Sequence, residues 1–153
     1  MTDFPRVVER FHAADRQTRL DMLLHYARKL PPLPPRYAEA RDRGENKVHE
    51  CQSPVFLYVE MEGGKARLFA DAPPEAPTVR GFVSLLGGGV NDATPDEVAA
   101  IPDDLLERLG LAELLGMTRM HGLTAVLARI KRMVRDLAAT NSNAETPRPQ
   151  RVP

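Results

Sequence analysis

The chain reads as an α+β domain, with a small antiparallel sheet of about three strands, a β-meander, packed against N- and C-terminal helices. Three observations carry that reading. Apolar residues recur at helical spacing near both ends. Two alternating runs flank Gly63-Gly64 in the middle. The strands and the helices occupy separate stretches rather than alternating, which argues against a parallel α/β sheet.

The 153 residues suit one domain, and a chain of that size buries roughly 70% of the surface its unfolded form exposes. We place a single domain at 1–139 and a polar, Pro-rich, disordered tail at 140–153. Lys plus Arg number 21 and Asp plus Glu also 21. That balance lacks the basic excess of a nucleic-acid binder. No apolar run approaches the ~20 residues of a membrane span. The opening Met-Thr-Asp-Phe-Pro-Arg has no apolar signal-peptide core. The single cysteine excludes an internal disulfide and a Cys-pair metal site. The expectation is a cytoplasmic protein with a reduced thiol, and with neither nucleic acid nor membrane as partner.

In chain order, Phe4, Val7, Val8 and Phe11 predict a short helix over 4–12. Asp15 is a candidate N-cap for a second, whose stripe is Leu20, Leu23, Leu24, Ala27 and Leu30. Pro31-Pro32-Leu33-Pro34-Pro35 ends it and enforces a stiff, extended connector. Residues 36–50 are mostly charged and read as a loop with one helical turn.

Gly63-Gly64 between the runs 54–61 and 65–72 predicts a two-residue hairpin turn. With that turn, facing residues have numbers summing to 127. One face pairs Met61 with Ala66, Val59 with Leu68, Leu57 with Ala70 and Val55 with Ala72, all apolar and assigned to the core. The other pairs Glu62 with Lys65, Glu60 with Arg67 and Tyr58 with Phe69. A slip of one residue destroys both patterns.

Pro73-Pro74-Glu75-Ala76-Pro77 reads as a loop, and Thr78-Val79 as a short third strand at the sheet edge. Residues 80–87 predict an apolar helix ended by Gly87-Gly88-Gly89. Thr94-Pro95-Asp96-Glu97 carries a capping-box start. A short helix follows from Pro102 to Leu109, with Gly110 at its C′ position, and then an apolar turn over 111–115. Thr118 is taken as the cap of the last helix, which presents Leu123, Val126, Leu127, Ile130, Val134 and Leu137 on one face. Its Arg129, Lys131, Arg132 and Arg135 read as a solvated face near the helix C-terminus.

The chemistry centres on Cys51, in the polar run Lys47-Val48-His49-Glu50-Cys51-Gln52-Ser53-Pro54 ahead of the first strand. A thiolate is a strong nucleophile, and it needs a cation, a helix N-terminus or a histidine to favour it. His49 lies two residues before Cys51, and Arg119 and His121 open the last helix. These residues fit a Cys–His hydrolase or transferase using Cys51 with His49 or His121. They also fit an adaptor whose cysteine is inert. The chain holds no His-Glu-x-x-His, no paired carboxylate constellation and no Gly-rich nucleotide loop.

Four stretches, in order, resemble the SufE family. Leu30-Pro31-Pro32-Leu33-Pro34 resembles its Leu-Pro-x-Leu connector. Asn46-Lys47-Val48-His49-Glu50-Cys51-Gln52-Ser53-Pro54-Val55-Phe56 resembles its Asn-x-Val-x-Gly-Cys-Gln-Ser-x-Val-Trp motif. Val79-Arg80-Gly81 resembles its Val-Lys/Arg-Gly. Leu115-Gly116-Met117-Thr118-Arg119-Met120-His121-Gly122-Leu123 resembles its Leu-Ser/Thr-Pro-Ser-Arg-x-Asn/Gln-Gly-Leu. Glu50, Phe56, Gly116, Met117 and His121 depart from the pattern, and of the acidic loop only Glu75 is kept.

The resemblance implies an α+β fold and a role in iron–sulfur cluster assembly. It implies that Cys51 is a persulfide acceptor, served by a SufS-type, PLP-dependent cysteine desulfurase that the chain stimulates. The sulfur would pass on to a Suf-type cluster scaffold. His49, Gln52, Ser53, Glu75, Arg80, Arg119 and His121 are then expected to support the Cys51 loop or bind the partner. No cofactor or metal of the chain's own is implied, since the PLP belongs to the desulfurase. The chain is thereby expected to be a persulfide-carrying activator or sulfurtransferase subunit rather than a stand-alone enzyme. Cys51 is expected in a loop beside the sheet, on the same side of the molecule as Arg119–Gly122.

Overall fold

The computed structural model describes the backbone of residues 3–145 and the side chains of residues 3–140. Helix α1 (Phe4–Ala13) starts at Asp3, whose side chain accepts from the Arg6 N–H. Helix α2 (Arg16–Arg28) starts at Asp15, which caps the Thr18 N–H at 2.8 Å, as its sequence position predicts. Arg19 holds the two helices together. Its guanidinium donates to the Phe11 and His12 carbonyls in the last turn of α1 and to the Gly110 carbonyl from the far side of the chain.

The proline connector ends in a tight turn (Pro35–Tyr37) and the short helix α3 (Ala38–Asp42). Strands β1 (Phe56–Glu62) and β2 (Lys65–Asp71) form the predicted hairpin in the predicted register, Leu57 facing Ala70 and Glu62 facing Lys65. Leu57, Ala66, Leu68 and Ala70 are buried, and Val59 and Met61 pack partly against the core.

The sheet has two strands, not about three. Thr78-Val79 instead lies in the first turn of helix α4 (Pro77–Val90). Pro77 sits where a missing N–H is harmless and its fixed φ suits a helix start. Both hairpin edges are covered by irregular chain. Lys47 bridges to Phe56 on one side. On the other, Ala66 exchanges backbone hydrogen bonds with Asp92 and Ala93, and the Asn91 side chain accepts from the Leu68 N–H. These contacts satisfy the edge in place of a third strand.

Helix α4 runs through Gly87-Gly88-Gly89 rather than stopping there. Gly89 lies under the Phe4 ring, so close that a Cβ would sit 2.0 Å from a ring carbon. Gly81 likewise lets α4 meet the backbone of α2 at Leu23. Helix α5 (Pro95–Ala99) has the full capping box between Thr94 and Glu97. Helix α6 (Leu105–Arg108) ends at Gly110, with φ +72°.

Helix α7 (Ala112–Glu145) is broken once, at Gly116 (φ 77°, ψ 168°), a conformation open to glycine. The long rod therefore resumes directly after Gly116, and Thr118 is inside it rather than capping it. It passes position 140, where the sequence reading begins its polar tail, and residues 146–153 lie outside the described residues. Leu123, Val126, Leu127, Ile130 and Val134 form its buried stripe. The basic residues fall mid-helix, away from the dipole end, and two of them are structural. Arg129 donates to the Lys47 carbonyl, and Lys131 to the Ile101 carbonyl and to Asp103.

The hairpin packs β1 on α7 and β2 on α4, while α2 lies along α4 and α5 and α6 along α7. Tyr58, expected on the outer face, is buried. Tyr37 stacks on it at 4.4 Å between ring centroids, and the Tyr58 hydroxyl donates to the Glu45 carbonyl. The connector thus supplies a second apolar cover that alternation along the strand does not encode. Among the described residues no helix is long and apolar enough to cross a membrane.

Candidate functional site

Cys51 sits at the tip of a loop whose base is closed by backbone hydrogen bonds. The Val48 N–H donates to the Val55 carbonyl at 2.8 Å, and the Leu57 N–H to the Asn46 carbonyl at 3.1 Å. Val48 and Val55 are fully buried, which anchors both ends. Asn46 makes the entry turn. It takes φ 61°, which Asn tolerates, and its side-chain amide donates to the Leu57 carbonyl. Within the loop, the Cys51 N–H donates to the Val48 carbonyl at 3.3 Å.

The flanking residues point outward, as their polarity predicts: His49, Glu50 and Gln52 are exposed and Ser53 is half-buried. Cys51 itself turns inward and is only 7% exposed, joined to the main core. Its floor is helix α7 at Gly122. A Cβ at Gly122 would lie 3.1 Å from the Cys51 Cα, 3.3 Å from Sγ and 3.3 Å from the Glu50 carbonyl oxygen. The thiol loop and the start of the α7 rod therefore meet face to face.

Burial pushes the Cys51 thiol above its ordinary range, because the thiolate loses hydration. The Ser53 backbone N–H and the charge of Arg119 oppose that rise. Arg119, one turn before Gly122, also donates to the Thr78 hydroxyl at 3.3 Å, linking α7 to the first turn of α4. The resting thiol is protected, with a cation and a backbone donor at hand for the anion.

The other sequence candidates divide by place. His121 is exposed on α7 beside Gly122, and Glu75 is exposed in the loop before α4. Arg80 makes no hydrogen bond to the thiol loop among the described residues. It donates to the Ala27 and Ala72 carbonyls, tying the end of α2 to the end of β2. No hydrogen bond joins His49 or His121 to Cys51 among the described residues. The apolar groove lined by Phe4, Val8, Ala100 and Ile101 excludes Cys51. Among the described residues no three His, Cys, Asp or Glu side chains converge as a metal ion requires.

Sequence reasoning does not single out three features that shape this site. Gly122 is visible only as part of a motif, Thr78 reads as a strand residue, and the Val48–Val55 closure needs the tertiary fold to be seen.

A thiol loop folded onto the Arg-x-x-Gly face of a long helix, beside a two-stranded hairpin, defines a small α+β thiol protein. Residues 5–134 match the family model described as SufE: Fe-S metabolism associated domain. The chain belongs to the SufE family, and with it to the proteins of Fe–S metabolism. It is 42% identical over 131 residues to an uncharacterized SufE-like protein of Mycobacterium tuberculosis, covering 85% of this chain and 90% of that protein. A SufE-like protein of Synechocystis is 35% identical over 118 residues, covering 76% and 70%. The solution structure of a hypothetical protein from Thermus thermophilus superposes with a TM-score of 0.77 at 36% identity, covering 89% and 96% of the two chains.

Proposed function

We propose that Cys51 accepts sulfur from a cysteine desulfurase, stimulates that enzyme, and hands the sulfur to an Fe–S cluster scaffold. The observation that carries this is the thiol's setting: a lone cysteine at a loop tip, folded onto α7 at Gly122, with Arg119 nearby. The chemistry is thiolate–persulfide exchange. Cys51 gives its proton to solvent, and its thiolate attacks the terminal sulfur of the desulfurase persulfide. The donor's S–S bond breaks, its cysteine leaves as a thiolate, and Cys51 holds the persulfide. A scaffold thiolate then repeats the step on Cys51. One sulfur atom moves each time, with no external oxidant or reductant.

A single cysteine suits a carrier, since a second thiol beside it would expel the sulfur by forming a disulfide. Burial of the resting thiol supports the same role: a persulfide folded under the loop is shielded from stray thiols. The donor's PLP makes the persulfide, and the transfer calls on no cofactor of this chain. A Cys–His hydrolase fits poorly, because both imidazoles point to solvent and the apolar groove lies elsewhere.

The test is mass spectrometry of the chain after incubation with a cysteine desulfurase and cysteine. One added sulfur on Cys51, released by reductant, is the expected result. No added sulfur under conditions where the desulfurase turns over would refute the reading.

A further inference from the structure

We propose that Gly122 is a positioning residue for Cys51: its missing side chain is the seat that lets the thiol loop close onto α7, and it sets how often the thiol is presented. The functional consequence rests on sulfur transfer through Cys51, whereas the closure itself stands on geometry alone.

The seat has three walls at once. A Cβ built on Gly122 meets the Cys51 Cα at 3.1 Å, its Sγ at 3.3 Å and the Glu50 carbonyl oxygen at 3.3 Å. These are backbone atoms and a short side chain, with no flexible far end to bend away. Gly122 is buried within an otherwise regular stretch of α7. Glycine there is unfavourable for the helix itself. Its φ is not left-handed, and Gly116 already provides the break in α7. The reason for glycine is therefore contact, not backbone freedom.

The other side of the loop offers no comparable restraint. His49, Glu50, Gln52 and Pro54 are exposed, and the closing hydrogen bonds lie at the base, from Val48 to Val55; the tip is held by bonds internal to the loop, such as the Cys51 N–H to the Val48 carbonyl, and by Cys51 packing on α7. A methyl group at position 122 pushes on the tip while the anchored base stays in place. The predicted outcome is a loop shifted toward open, with the fold retained and the α7 helix propensity raised. A thiol presented this way is also more hydrated, which removes the main cause of its raised pKa.

The experiment needs no desulfurase, so its failure is separate from failure of sulfur acceptance. Iodoacetamide alkylation of Cys51 is followed across pH in wild type, Gly122→Ala, Gly122→Val and the exposed α7 control Thr124→Ala. Circular dichroism is recorded on each. The expected result is a severalfold faster reaction for Gly122→Ala, faster still for Gly122→Val, with the midpoint of the pH profile moved down and helical signal unchanged. Thr124→Ala should match wild type. Rates and midpoints equal to wild type in both Gly122 variants would overturn the proposal. So would a rise in rate that comes only with loss of the helical signal. If Gly122→Val does not fold, Gly122→Ala alone decides.

Discussion

The Arg119 guanidinium donates to the Thr78 hydroxyl at 3.3 Å, and this bond fixes a cation of α7 beside the buried thiol of Cys51. It joins the first turn of α4 to the start of the α7 rod, two elements whose bonded residues are 41 positions apart in the chain. Arg119→Ala removes the charge that opposes desolvation of the thiolate. The pH midpoint for Cys51 alkylation should move up and the rate near neutrality should fall. Thr78→Val keeps the charge and should produce a smaller change of the same sign. An unchanged midpoint in Arg119→Ala would show that the guanidinium does not act on the thiol.

Burial of Cys51 links stability to pH. Its folded pKa is raised, so its contribution is fully present below the ordinary thiol range and is lost as pH rises through the folded value. Wild type should therefore lose stability faster than Cys51→Ser in alkaline solution, measured by urea denaturation at several pH values. Parallel curves would contradict a buried, titrating thiol. At neutral pH the serine variant should fold but lose about 1 kcal/mol, since a hydroxyl takes the place of a small apolar group in a packed site.

The contact of Gly81 with α2 gives a sharper effect. A Cβ there would lie 2.2 Å from the Leu23 carbonyl oxygen and 2.9 Å from its carbon. Backbone cannot swing aside, so Gly81→Ala should destabilise by roughly 1–3 kcal/mol despite the gain in helix propensity. Chemical denaturation measures this, and a stability equal to wild type would mean that α2 and α4 part easily.

Glu60 accepts from the Tyr37 hydroxyl and from Arg36, whose Nη2 lies 2.9 Å away. Both partners lower its pKa, the Tyr37 hydrogen bond most. The stabilisation is present above the ordinary carboxylate range and lost as pH falls through the lowered value. Glu60→Gln should be less stable than wild type at neutral pH by under about 1 kcal/mol, given the solvent-exposed site. The gap should close in acid. A gap that persists at low pH would show that the charge of Glu60 is not its source.

The hairpin was legible to the residue because a period of two, a Gly-Gly turn and opposite charges at Glu60–Arg67 and Glu62–Lys65 all require one register. Asp15, Thr94 and Gly110 were legible because capping is local chemistry. Two of the failures came from distant contacts. Gly89 continues α4 because Phe4 covers it, and Tyr58 turns inward because Tyr37 arrives from the connector. At the site, the motif around Cys51 was readable, but its polar neighbours left open whether the thiol rests buried or exposed. His49, Glu50 and Gln52 are exposed and Ser53 is half-buried, while the Cys51 side chain turns inward onto α7 at Gly122, in the far half of the chain. Arg80 shows the converse, a motif residue whose bonds are to the scaffold.

Whether sulfur passes through Cys51 is decided by desulfurase turnover. Alanine production by a cysteine desulfurase of the SufS type is measured without added protein, with wild type and with Cys51→Ser. A docked thiol replaces a chance encounter of reductant with the persulfide by an effectively intramolecular step, an advantage worth several kcal/mol when well positioned. Wild type should raise the turnover, and Cys51→Ser, folded and present at the same concentration, should not. Equal stimulation by the two proteins would contradict sulfur transfer through Cys51 and leave an adaptor with an inert cysteine.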